Sequence, residues 1–247
     1  MQLSQTYPRS APSPRRLFIV TLALLLVIDL LFIGAFLAHT RLTRDVAYSG
    51  IFHDRTRWSL GIDGSYPEIF SYLKAGFAAL LLFVLFARKR ALTYVAWGVT
   101  LVFILLDDAL ELHERVGAAL VDSGALPTLL GVRPELYAEA VLWLAVAPPL
   151  LLLIALGYRR EPALRPLSRL LLGLLGALFF CGAVVDALHA AAPYVENPTV
   201  RFFLARTILL EDGGELVVLS FFAALTLLHF VLEQTSPARR FLTARAR

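Results

Sequence analysis

The sequence predicts an all-α fold, a polytopic membrane helix bundle of about six transmembrane helices with both termini cytoplasmic, and three observations predict it. The first is composition. Of 247 residues, 58% are hydrophobic and 17% charged, against roughly 45–50% and about 25% in soluble domains, and mean hydropathy is +0.71. The second is that the apolar excess is gathered into long runs. A helix needs about 20 mostly apolar residues to cross about 30 Å of hydrocarbon, and without water its backbone must satisfy itself, which leaves helices or closed barrels. The runs lack strict two-residue alternation, so helices are expected. The third is the placement of Lys and Arg in short clusters beside these runs.

Residues 1–16 read as a cytoplasmic tail, 17–232 as the six-span domain, and 233–247 as a basic cytoplasmic tail. The spans fall at about 17–39, 68–87, 91–114, 136–158, 167–190 and 203–232. The first follows Arg15 and Arg16 but exceeds the 7–15-residue core of a signal peptide and has no small-residue cleavage site, so it reads as a retained helix. Arg9, Arg15, Arg16, then Arg88, Lys89, Arg90, then Arg159, Arg160, Arg165, Arg169, and finally Arg239, Arg240, Arg245, Arg247 fall at the N-terminus, two loops and the C-terminus. The positive-inside rule therefore puts both ends in the cytoplasm. A pI near 9.5 thus records topology, and no nucleic acid is expected. The lipid bilayer is the expected partner; the sequence leaves the oligomeric state open.

The second span opens at Ser65 and Glu68, which have capping-box spacing, with Pro67 in the first turn. Pro148-Pro149 should kink the fourth span. Gly213-Gly214 in the sixth either lets that helix unwind, as at transporter sites, or allows close packing. The lone Cys181 excludes an internal disulfide and CxxC metal spacing.

Ionisable residues interrupt three spans where a bilayer should reject them. Span three ends in Asp107-Asp108-Ala109-Leu110-Glu111-Leu112-His113-Glu114, span five carries Asp186-Ala187-Leu188-His189, and span six carries Glu211-Asp212-Gly213-Gly214-Glu215. At about 1.5 Å of rise per residue all three sets reach the outer half of the membrane, and they meet if spans three, five and six are neighbours. Asp108 and Glu111, Asp186 and His189, and Glu211 and Glu215 each share a helix face. A mid-bilayer charge costs about 2.5–3.5 kcal/mol even on a lenient scale. With Glu139, nine carboxylates face three nearby cations, Lys74, Arg115 and Arg206, so most must be protonated, hydrated or bound to a cation. Glu114 and Glu139, nearest the interface, suit salt bridges.

The expected site is Asp108, Glu111, Asp186, His189, Glu211 and Glu215 as ligands of a divalent metal (Zn, Fe or Mn), with Asp107, His113, Glu114, Asp212, Lys74 and Arg206 as secondary candidates. Carboxylates with an imidazole suit such ions, and helix bundles build sites from acids and acid-x-x-His pairs facing inward. A bound metal would suit a membrane-embedded enzyme that activates water. His113-Glu114 is no zincin motif, because Gly117 stands where the second histidine belongs. Two alternatives stay open. A proton- or cation-coupled transporter uses the same residue types, with Asp29 inside span one as a further path residue. A non-catalytic subunit would use the acids to dock a partner.

Tyr66-Pro67-Glu68 with Tyr72 and Lys74, Asp107-Asp108 with Leu112-His113-Glu114 and Gly117, Val185-Asp186 with His189, and Glu211-Asp212-Gly213-Gly214-Glu215 together carry a resemblance. Over residues 58–220 the chain resembles a family of uncharacterised bacterial multi-pass membrane proteins. The resemblance implies that the acidic motifs belong together and that the protein resides in the bacterial cytoplasmic (inner) membrane; it implies no activity. The several-histidine metal site of ceramidase-like membrane hydrolases is not reproduced.

Overall fold

In the computed structural model, six helices are long and apolar enough to cross a membrane, and no strand occurs among the described residues. These are residues 13–43, 49–128, 134, 137–185, 187–188, 195–204 and 207–235. In chain order the helices are α1 (Pro14–Leu42), α2 (Arg55–Trp58), α3 (Tyr66–Lys89), α4 (Leu92–Leu110), α5 (Leu112–Asp122), α6 (Ala138–Arg160), α7 (Arg165–Phe179), α8 (Pro198–Leu204) and α9 (Ile208–Thr235). A π-helical segment, Phe180–Val185, continues α7.

Local chemistry sets the helix ends. Ser13 precedes Pro14 and accepts from the Arg16 N–H (3.3 Å), which caps α1. Ser65 is the N-cap of α3 but makes no side-chain cap bond. Glu68 instead reaches past it to accept from the N–H of Gly64 and from the Tyr72 hydroxyl, so neither arm of the expected capping box forms. The tight α3–α4 turn places Arg90 in the left-handed region at φ 55°. Glu161, in the α6–α7 turn, caps α4 from outside: its two carboxylate oxygens accept from Leu92 N (2.6 Å) and Thr93 N (2.9 Å). A carboxylate there satisfies orphan donors and complements the helix dipole.

α4 forms the centre of the bundle, half of its apolar window being buried against only 6% for α1. α4 packs on α3 and α6, while α9 packs on α3, α1, α7 and the π segment. Trp97, Tyr94 and Leu101 of α4 meet Leu82 and Leu85 of α3, Leu171 of α7 and Phe222 of α9 in one core. Trp97 Nε1 donates to Ser168 Oγ across it (3.2 Å), and the Tyr94 hydroxyl pairs with His229 Nε2 (3.0 Å). Small residues bring backbones together: a Cβ on Gly157 of α6 would lie 2.9 Å from Thr93 Cα of α4.

Among the described residues the Arg88–Arg90 and Arg159–Arg165 clusters gather at one end of the bundle. Lys89 bonds Glu233 near the end of α9 (2.6 Å), Arg88 lies over Phe230, and Glu161 joins the α6–α7 turn to the start of α4. The acids of α4 and α5, and Glu211, Asp212 and Glu215 of α9, lie at the opposite end. α6 continues through Pro148-Pro149 as one helix, and α9 runs unbroken through Gly213-Gly214, so the glycine pair serves close packing.

Span three differs from its expectation. It does not reach residue 114; α4 stops at Leu110, Glu111 turns left-handed (φ 51°, ψ 41°), and α5 leads away as a separate helix. A single helical phase therefore does not relate Asp108, Glu111 and Glu114.

Candidate functional site

The break at Glu111 reassigns the acids at this end. Asp107 stays on α4, 1% exposed, and its carboxylate accepts from the His113 backbone N–H (3.0 Å) and pairs with His113 Nδ1 (3.1 Å). At the end of one continuous helix Asp107 would face the negative pole of the dipole. Because the chain turns, it instead caps the start of a new helix, where a carboxylate is favoured. Asp107 raises the His113 imidazole from its ordinary 6.5 to about 9, chiefly through this hydrogen bond, with burial opposing.

Past the break, Glu111 and Glu114 meet Asp63, which comes from the segment before α3. Ligand oxygens of the three lie within 4.8 Å of one another, Glu111 half-buried and the other two exposed. Beside them opens a cleft of about 480 Å³, lined by Glu111, Glu114, Arg115, Gly117 and Val121 from the α5 side and by Ala138 and Glu139 at the start of α6. Gly117 shapes it, since a Cβ there would lie 3.0 Å from the Glu139 backbone nitrogen. Two like charges 4.8 Å apart repel by about 1 kcal/mol at the dielectric of water and about 3.5 kcal/mol at an effective value of 20. Burial, then Asp63, pushes the Glu114 carboxyl above its ordinary range. Among the described residues Arg115 pairs with Glu111, its guanidinium 3.5 Å away and largely exposed; such pairs contribute little.

Asp108 lies half-buried within electrostatic reach of Asp107, Glu68 and Asp63, but outside the three-carboxylate group. Glu215 points into the π segment, its Oε1 2.0 Å from where a Cβ on Gly182 would stand, and Cys181 Sγ lies 2.5 Å from the corresponding point on Gly214. Each helix thus gives up a side chain to admit one from the other. Asp212 lies against Gly61, its Oδ2 2.9 Å from that glycine's Cβ position. Glu211 occupies the first turn of α9, where a negative charge is favoured. Asp186, His189 and Arg206 lie outside the described residues.

Lys74 is not a counter-ion for these acids. It is buried within the bundle and bonds Asp29 Oδ1 of α1 at 2.9 Å, the carbonyl of Leu216 and Ser220 Oγ. The acidic end therefore loses one of its three expected cations. The structure thus joins Glu111 to Glu114 but ties Lys74 to Asp29 and His113 to Asp107. Reasoning from helical phase passed over Asp63, because Asp63-Gly64-Ser65 carries a turn signature and a turn residue has no phase to test.

Residues 16–229 match the model of a domain of unknown function (DUF8692). No curated relative and no solved structure matches the chain.

Proposed function

The chain belongs to the DUF8692 family, and we propose that it is a multi-pass membrane protein that binds a hard divalent cation in the acidic cleft, through Asp63, Glu111 and Glu114. One observation carries the reading: three carboxylates from two separate chain segments converge within 4.8 Å, and the guanidinium that pairs with one of them is largely exposed. A divalent ion relieves their repulsion by taking one oxygen from each. An all-carboxylate donor set suits Mg, Ca or Mn, whereas Zn and Fe favour sites that include imidazole. His113 is committed to Asp107, which weighs against Zn and Fe at this group. The proposal keeps the basic end cytoplasmic in the bacterial inner membrane, so the cleft opens to the other side.

Mn²⁺ binding to detergent-purified protein, followed by electron paramagnetic resonance, tests it. Wild type should take up about one ion per chain. Asp63→Asn and Glu114→Gln should each weaken binding at least about tenfold, while Glu211→Gln should not. Uptake by wild type no greater than by the Asp63→Asn, Glu111→Gln, Glu114→Gln triple variant would end the reading.

Cation-coupled transport is a second reading, favoured by the Asp29–Lys74 pair inside the membrane domain, since intramembrane ion pairs mark transport pathways. Mn²⁺ flux into liposomes that Asp29→Asn abolishes would promote it.

A further inference from the structure

Asp29 stands at the middle of α1 and is fully buried, although α1 is the most lipid-facing of the six spanning helices. Both its oxygens are used: Oδ1 receives Lys74 Nζ at 2.9 Å and Oδ2 receives Ser220 Oγ at 2.6 Å. Lys74 completes its three donors on Leu216 O and Ser220 Oγ and lies 4.6 Å from the Phe70 ring centre. α1, α3 and α9 are thus joined at one buried, hydrogen-bonded ion pair.

Few other α1 side chains are buried, namely Ala35, Phe36 and His39, although α1 packs along α9. A buried ion pair is a poor source of net stability compared with apolar packing, but removing one partner strands a charge. Such a pair holds while intact and releases when one partner is neutralised. The far end of α1 is fastened to the segment that carries Asp63. His39 Nδ1 bonds Phe52 O (2.6 Å), Phe52 stacks edge-on with Trp58, and Trp58 with Tyr66, while α1 and α3 both touch α2. The described part of this segment, residues 49–65, runs from those contacts to Asp63.

We propose that the Asp29–Lys74–Ser220 network is a latch for α1, and that α1 and residues 49–65 move together when it opens. The latch stands on its own geometry. Its consequence, that opening displaces Asp63 and weakens cation binding, rests on the reading given under Proposed function.

The test uses the full chain with Cys181→Ala and a reporter pair, Ile33→Cys and Gly213→Cys. A Cβ at position 213 would lie 3.9 Å from Ile33 Cγ1, the place a cysteine sulfur takes. With the latch intact, oxidation should cross-link α1 to α9 readily. Asp29→Asn should slow cross-linking at least about fivefold, the lower bound of typical coupling, and should speed hydrogen exchange of residues 49–65 while leaving α6 unchanged. The exchanged pair Asp29→Lys with Lys74→Asp should restore both. If Asp29→Asn does not fold, Asp29→Asn with Lys74→Gln, which strands no charge, serves in its place. Cross-linking and exchange at parental levels in the neutralised variant would overturn the latch, even if Mn²⁺ binds. Responses in both, in a protein that binds no Mn²⁺, would keep the latch and remove the cation reading. Where Mn²⁺ does bind, Asp29→Asn should weaken it at least about fivefold, and unchanged affinity with an open latch would overturn the link to Asp63.

Discussion

Asp107 holds His113 at two points, backbone N–H and imidazole, across the left-handed turn at Glu111. The contact fixes the angle between α4 and α5, and therefore where Glu111 and Glu114 stand relative to Asp63. The imidazole is raised from 6.5 to about 9, so it is protonated at neutral pH in the folded chain. A raised value in the folded state means that this contribution is complete below about 6.5 and is lost as pH rises through about 9. The melting temperature of wild type should thus fall between pH 7 and 9.5 by more than that of His113→Gln. Parallel pH profiles would remove His113 from this role.

Close backbone approach separates the glycines. Gly157 faces the Thr93 backbone, which cannot turn aside, with a Cβ position 2.9 Å from Thr93 Cα; Gly173 and Gly176 of α7 have nothing within 4 Å. Gly157→Ala should cost about 1–3 kcal/mol, the range for overpacking. Gly173→Ala should be neutral or should stabilise by up to about 1 kcal/mol through helix propensity. Thermal unfolding in detergent measures the contrast, and equal effects would show that α4 and α6 are not held at this distance.

The number and type of the spanning elements were legible in the sequence because span length and apolarity are local properties. All six runs became helices long enough to cross. The candidate site was legible only in part. Glu111 and Glu114 were found from their spacing, but along an assumed continuous helix, and nothing in Asp107-Asp108-Ala109-Leu110-Glu111 signals a stop: there is no glycine or proline at the break. Asp63 and the Lys74–Asp29 pair were missed for another reason. They join segments 45 or more residues apart, and pairing across that distance depends on which helices are neighbours. α3 packs on both α4 and α9, and one of its faces took Lys74 away from the acids.

Glu161 lies among arginines at the basic end. Its two bonds to Leu92 N and Thr93 N make it the cap of a helix to which it is not connected. Glu161→Ala should destabilise by about 0.5–2 kcal/mol, the typical cost of losing a cap, whereas Arg160→Ala, exposed beside it, should change stability by less than about 0.5 kcal/mol. Denaturation midpoints of the two variants decide between a cap and a surface charge.

Glu111 combines a strained backbone with a proposed ligand. At φ 51° and ψ 41° it occupies a region that suits glycine, and non-glycine residues held there cost of order 1 kcal/mol or more. Its side chain is not needed to stop α4, since the turn is also held by Asp107 and His113. Glu111→Gly should therefore raise the melting temperature while weakening Mn²⁺ binding at least about tenfold. Glu111→Ala should weaken binding equally without the gain in stability, because alanine keeps the Cβ that the left-handed turn disfavours. A stability gain with unchanged Mn²⁺ affinity would remove Glu111 from the ligand set and leave Asp63 and Glu114 to bind alone. Loss of stability in Glu111→Gly would instead mean that the carboxylate contributes more to the turn, through Arg115 and its neighbours, than the strain costs.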